Sequence, residues 1–469
     1  MSWTAYEKPM RKLHPRPSLL KLILKVVFAV YVLASTLLLI SLLLKTSLHS
    51  SLLTADQQPV LDYVNFDDCR EGFAGNEEAI DSLRNITLSE QTIAQIILDN
   101  PQDRCSLYRH YFPFPSTEAS DDEQQFPLAY GMLAHNRFVQ FMLTFAAFYE
   151  VHNVYCLAVP SSAHSSFLRL VHDLPDCFPN LHILQIGPVS WGSYEILSGV
   201  HKCLTLLDSL PHEWKYYQYL SGVDAPLRTN REMVSILRPW DGLSHTLVTK
   251  IQKRRISTDK TPPVPLWKSS LSAIVSRESA HDLVTNKTVL DLLKFLKDTS
   301  VADESFWASA LGNSKVLPLH GSFDASLVYN FTDRYRKKWA EFKKADGTVA
   351  EQMENEWDSC PHSPCIRRNF NARHQVWAKK NCHGFMTHGS CVFGVGDLPV
   401  LSSRSAFVAH KFYLDYEPAA LLCLIKENMR RRSDPDPAFD YIQYMYIPQL
   451  QIARGETDYE RITHKEWFL

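Results

Sequence analysis

Between Phe126 and Glu278 the chain alternates two kinds of apolar pattern. The short runs "FPLAYGML", "NVYCLAV", "LHILQIG" and "WKYYQYLSG" are rich in β-branched or aromatic residues and read as buried strands. Between them, "NRFVQFMLTFAAFYE" and "GSYEILSGVHKCLTLLDSL" repeat their apolar residues at helical spacing. Further on, "LSAIVSRE" predicts one more strand and "HDLVTNKTVLDLLKFLKD" one amphipathic helix. This alternation predicts an α/β domain with a mostly parallel sheet. Sites in such sheets lie at the carboxyl ends of the strands. "YLSGVDAP" closes a strand with Gly222, Asp224 and Pro226, which places Asp224 near a site.

A different pattern governs the amino terminus. "VVFAVYVLASTLLLISLLL", residues 26–44, has no charge and no proline and is long enough to span about 30 Å of hydrocarbon as a helix. It exceeds the roughly 7–15 apolar residues of a cleaved signal and lacks a small-x-small ending. Lys8, Arg11, Lys12, Arg16, Lys21 and Lys25 precede it against Glu7 alone, which predicts a cytoplasmic segment over 1–25, a membrane anchor over 26–44, and a luminal remainder. Residues 45–101 are polar without sustained strand patterning and read as a stem. The globular domain is expected over 102–433, and 434–469 is a proline-containing aromatic tail without an assigned role. Asp346 to Cys365 reads as an insertion or loop.

Composition adds two points. A formal net charge of -2 argues against broad capture of nucleic acid, and no zinc-finger, P-loop or GxGxxG pattern occurs. All ten cysteines follow the apolar run, so they face an oxidising compartment and are expected to be mostly disulfide-bonded. A zinc site is the alternative, although no CxxC pair is present. Asn85, Asn286 and Asn330 head glycosylation sequons, which fit a luminal chain.

The candidate chemistry centres on "VADESFWASALGN". Two carboxylates, Asp303 and Glu304, directly precede Phe306 and Trp307. By themselves they read as the first turn of a helix, complementing its dipole, or as an acid at the lip of a buried site. "FPLAY", "HEWKYYQYLSGVDAPLRTNREMV", "ADESFWA", "CVFGVGDL" and "AHKFYLDYEPAALLCL" together resemble, in order and spacing, the core-2/I-branching β-1,6-N-acetylglucosaminyltransferases (glycosyltransferase family 14). The resemblance runs from about Phe126 to Cys423.

It implies a GT-A-like, Rossmann-type α/β fold with a mixed sheet flanked by helices, in a Golgi type II membrane protein. It also implies inverting transfer of a sugar (GlcNAc, or glucose) from a UDP donor to an O-glycan core-1 type glycoprotein acceptor, with no metal ion or other cofactor. The base of the family's "Pro-Asp-Glu-x-x-Trp-Ala" motif falls on Glu304, with Ala302 in place of the proline. Phe306 and Trp307 would then limit its solvation and favour raised basicity, while Asp303 could cap the turn.

On the donor side the resemblance places Lys411 of "AHKF" at the family's "NKF" lysine, opposite the diphosphate, and Asp224 in the pocket. Several positions depart from the pattern. His388 stands where the family has a diphosphate-binding arginine, with Arg404 nearby as a candidate replacement. Pro160 replaces a donor-holding aspartate, Trp191 a tyrosine, and Leu133 a nucleobase-lining valine. These departures leave open a catalytically impaired member that acts as a luminal binding or scaffold protein, or a secreted lectin-like form.

On the acceptor side, Lys253 and Arg254 in "KIQKRR", with Trp339, correspond to sugar-contacting positions, or else to a solvated basic face and a core tryptophan. Asp434 and Asp436 spell DxD in the tail and are discounted as a metal site. The family's cysteine pattern pairs Cys69 with Cys423, Cys105 with Cys177, Cys156 with Cys203 and Cys382 with Cys391, which leaves Cys360 for Cys365. Ser221 stands at the family's unpaired cysteine.

Overall fold

Leu128–Leu133 (β1), Val154–Pro160 (β2), Leu181–Ile186 (β3) and Tyr216–Ser221 (β4) form a parallel core in the order β3-β2-β1-β4. The structure is a computed structural model, and it describes residues 25, 27–36, 58–256, 259–345, 370–377 and 379–468. The four strands are those the apolar runs predict. β1, β2 and β4 are almost wholly buried because helices cover both faces, which leaves no reason for polar alternation, whereas β3 is the half-buried edge. The helix Phe138–Phe148 is apolar all round and lies within the core.

Beyond β4 the chain makes Asp224–Pro226 (β5), His245–Thr246 (β6), a small ladder of Thr249–Lys250 (β7) with Trp267–Lys268 (β8), and Ala273–Ser276 (β9). β9 joins the sheet antiparallel to β4, and β6 pairs antiparallel with β9 and so runs in the direction of β4; the sheet is mixed around the parallel core that the alternation predicts. The last strands are the hairpin Phe385–Thr387 (β10) with Ser390–Val392 (β11), and Val408–His410 (β12), antiparallel to β5.

Three expectations change. The single amphipathic helix after β9 is two, Arg277–Thr285 and Lys287–Leu296. Asn286 turns out of the first, and its side chain caps the second by accepting from Thr288 and Val289. The unit containing the sheet begins at Pro59, inside the segment read as stem. There the helices Phe66–Phe73, Glu77–Arg84 and Glu90–Asp99 place Val60, Cys69, Leu83, Ile93 and Ile97 in the core. The tail also belongs to this unit, because Trp467 and Phe468 are buried and Tyr444 donates to the Ser405 carbonyl at 2.8 Å.

The bridges Cys69–Cys423, Cys105–Cys177, Cys156–Cys203 and Cys382–Cys391 are all present. Cys360 and Cys365 lie outside the described residues. Of the sequon asparagines, Asn85 and Asn330 are exposed and Asn286 is half-buried. Residues 27–36 of the apolar run are helical, and the rest of that run lies outside the described residues. Among the described residues, no helix is long and apolar enough to cross a membrane.

Candidate active site

Glu304 ends a short 3-10 turn, Ala302–Glu304, ahead of the helix Phe306–Leu311. The turn is entered through Val301 at φ 55°, a strained conformation for a β-branched residue. It is held there because Val301 N–H donates to Gly192 and Glu304 C=O accepts from Ser269 at 2.7 Å. Phe306 and Trp307 are fully buried below it, and Trp307 Nε1 donates to the Leu271 carbonyl.

The Glu304 carboxylate lines a cavity of about 220 Å³ and is held by two cations at Oε2, Arg255 Nη2 at 2.7 Å and Lys268 Nζ at 3.4 Å. Asp303 is pushed up to about 6, by burial first and the Glu304 charge second, with Arg255 and Arg373 opposing. It is buried and does not cap the helix, whose N-cap, Ser305, makes no side-chain cap either. A carboxyl raised in the folded state contributes its full stability below its unfolded value of 3.8 and loses it as pH rises through about 6. Asp303→Asn is therefore expected to raise stability by roughly 2–3 kcal/mol at pH 7.5, with the gain vanishing near pH 4. Paired thermal melts at the two pH values check this, and an equal effect at both would contradict it.

Opposite the Ala302–Glu304 turn, residues 371–374 run beside β12. His374 N–H donates to Val408, His410 N–H to His374, and Gln218 Nε2 anchors the Ala372 carbonyl to β4. This course directs Arg373, His374 and Trp377 to the cavity. Arg373 lies over the Tyr219 ring, and its charge acts on Asp303, Asp224 and His410. Trp377 is 59% exposed, a broad apolar ring at the rim.

The β10–β11 turn rests on that ring. Gly389, at φ 80°, would bring an added Cβ to 3.9 Å from it. His388 and Gly389 are both at positive φ, as a two-residue hairpin turn requires. His388 is thus an exposed turn tip, its Nδ1 near Thr387 Oγ1. Lys411 is buried beside the same turn, its ammonium on the Thr387 carbonyl at 3.2 Å. Burial lowers its pKa.

The sequence-predicted residues therefore divide. Glu304 and Arg404 line the cavity, and Lys411 and His388 meet at the hairpin. Trp191 stands 79% exposed beside Gly192, whose carbonyl holds the Ala302–Glu304 turn. Leu133 ends β1, half-buried, and Pro160 ends β2 without a carboxylate.

Three assignments are corrected. Asp224 is fully buried rather than lining a pocket, because its oxygens are consumed by Ser221 N, Ser221 Oγ and His410 Nδ1. Lys253 and Arg254 point to solvent on a 3-10 turn, and the next residue, Arg255, is the one that turns inward to Glu304. Trp339 lies on the helix Ala325–Ala345 and does not line the cavity, whereas Trp377 does. Arg255, Lys268, Arg373, Trp377 and His410 are the residues that sequence reasoning missed. Two carried a signal: Arg255 as the last residue of the basic run "KIQKRR", and His410 through the change from "NKF" to "HKF".

The cavity gathers a carboxylate held by two cations and an exposed indole at its rim, a set suited to taking a proton beside a ring that stacks on a sugar. Comparison with known proteins places the chain among the glycosyltransferases. Residues 128–401 match the family model described as Core-2/I-Branching enzyme, more than half of the chain, and the chain belongs to that family. It is 27% identical over 341 residues to a mouse N-acetyllactosaminide beta-1,6-N-acetylglucosaminyl-transferase, covering 67% of this chain and 75% of that protein. It is 24% identical over 356 residues to a human beta-1,3-galactosyl-O-glycosyl-glycoprotein beta-1,6-N-acetylglucosaminyltransferase, covering 71% and 77%.

Proposed function

We propose that this chain is an inverting, metal-independent transferase that moves GlcNAc from UDP-GlcNAc in β-1,6 linkage to an O-glycan core acceptor. In this reading it is anchored by residues 26–44 with its catalytic unit in the Golgi lumen, and Asn85, Asn286 and Asn330 are its glycosylation sites. The observation that carries the reading is Glu304, held at the cavity lip by Arg255 and Lys268 in a chain of the branching family. The acceptor hydroxyl oxygen attacks the anomeric carbon, the bond from that carbon to the diphosphate oxygen breaks, and the hydroxyl proton passes to Glu304. UDP leaves toward positive charge. Both relatives named above carry β-1,6-N-acetylglucosaminyl transfer in their names and differ in the acceptor, so the acceptor is the variable part.

The deciding experiment presents UDP-GlcNAc, UDP-glucose and UDP-galactose with core-1 and N-acetyllactosamine acceptors to the full chain in detergent, with and without EDTA. A β-1,6-linked GlcNAc on core 1, insensitive to EDTA, is expected. Absence of transfer from every donor sinks the reading, and UDP binding without transfer would favour the scaffold alternative.

Two substitutions test the roles, with a third as a control. Lys411 has no carboxylate partner among the described residues, and a diphosphate would supply the missing counter-charge to its buried ammonium. Lys411→Ala is expected to weaken UDP binding about 10–100-fold, the size of a charge-assisted hydrogen bond, and calorimetry that shows unchanged affinity removes the role. Trp377 offers its ring face to the acceptor sugar. Trp377→Ala is expected to raise the acceptor KM roughly tenfold with the donor KM unchanged, while Trp339→Ala leaves both in place.

A further inference from the structure

His410 is held in one tautomer by a buried carboxylate. Asp224 Oδ1 lies 2.7 Å from its Nδ1, and the same carboxylate accepts from Ser221 N at 2.7 Å and Ser221 Oγ at 2.8 Å. Burial alone would raise the Asp224 carboxyl, but the His410 hydrogen bond and the Arg373 charge hold it below its ordinary value, so it is ionised and can only accept. Nδ1 must then carry the proton and Nε2 the lone pair. Burial and Arg373 push the imidazole down to about 4, against Asp224, so it is neutral through the physiological range.

The ring is not sealed, since 14% of the side chain reaches solvent, and no hydrogen bond engages Nε2 among the described residues. It sits at the end of β12, one residue before Lys411 and paired with β5 at the carboxyl edge of the sheet. Apart from Asp224 on the Nδ1 side, its charged neighbours, Arg373 and Lys411, are donors only.

We propose that His410 contacts the substrate, Nε2 accepting a hydrogen bond from a hydroxyl of the sugar carried by the nucleotide donor. This rests on the glycosyl-transfer reading above. A neutral lone pair repels a phosphate oxygen and cannot accept from a carbonyl, so the group it selects is a donor, and hydroxyls are the donors that every hexose offers. Arg373 and Lys411 serve anionic oxygens, and His410 supplies the acceptor that they cannot.

The test is calorimetry on the full chain in detergent with UDP, UDP-GlcNAc and UDP-GlcNAc analogues lacking the 3-, 4- or 6-hydroxyl. His410→Gln keeps an N–H for Asp224 but offers no ring acceptor. It is expected to weaken UDP-GlcNAc about tenfold and UDP less than twofold. One deoxy analogue is expected to bind wild type about tenfold more weakly and to lose nothing more on the variant. As a check independent of the substitution, the Nε2 resonance of ¹⁵N-histidine-labelled wild type is expected to shift with UDP-GlcNAc and not with UDP.

Equal loss of UDP and UDP-GlcNAc, an Nε2 shift with UDP alone, or no shift with either overturns the proposal, because the contact is then to ribose or to nothing. If wild type binds UDP-GlcNAc and the variant binds it equally well, this inference falls by itself. If wild type binds neither ligand, the transferase reading falls with it.

Discussion

Glu304→Gln is expected to lower transfer by about 10²–10⁴-fold, the usual contribution of a positioned base, while expression level and UDP affinity stay at wild-type levels. The amide keeps the shape of the side chain and its place at the cavity lip but cannot take the acceptor's proton. It also removes the negative partner of Arg255 and Lys268, which lie 2.7 and 3.4 Å from Oε2. Both cations retain some contact with water, with side-chain exposures of 13% and 22%, so the loss should lower the melting point by only a few degrees. The measurements are initial rates and a melting curve on the same preparation. Turnover within tenfold of wild type would remove Glu304 from the chemistry. A fully unfolded variant would instead assign the residue to holding the turn.

The Cys69–Cys423 bridge carries the second large effect. It spans 354 residues of sequence and ties the helix Phe66–Phe73 to the buried face of the helix Ala419–Ser433. Closing so long a loop restricts the unfolded chain most, and the entropic argument gives roughly 4–5 kcal/mol after allowing for the bridges already inside the loop. Cys69→Ser with Cys423→Ser is expected to destabilise the chain by that order under oxidising conditions, read as a shifted denaturant midpoint. Removing Cys382 and Cys391, separated by 9 residues, should cost about half as much. Equal effects would show that strain or packing, rather than loop entropy, sets the contribution.

The four parallel strands were legible because each is a short run rich in apolar, β-branched or aromatic residues between helical patterns, and three of them are buried almost throughout. The hidden features share a physical cause. The break at Asn286 lies within one apolar-rich stretch of helix-forming length, and it is marked by the Asn286 side chain that caps the second helix. The antiparallel sense of β9 is a property of its partners, not of "AIVS". Residues 59–101 look like a stem because their helices are short and polar on the outside, and their few apolar residues find a core only in the rest of the unit.

The site divides the same way. Glu304, which lines the cavity, and Lys411, buried beside the β10–β11 turn, stand in motifs in which residue type and neighbours travel together. Arg255 was hidden among three consecutive basic residues, because which of them turns inward depends on the 3-10 turn at 253–255 and on where Glu304 stands. Trp377 and Arg373 reach the cavity because residues 371–374 run beside β12, a partnership of segments more than thirty residues apart. From the sequence alone come the strand and helix pattern, the family and its acid, the cysteine pairing that the family implies, and the apolar run at residues 26–44. The choice of which side chains surround that acid was left to the tertiary structure, since charge and proximity in a cavity are relations between distant segments that no local pattern encodes.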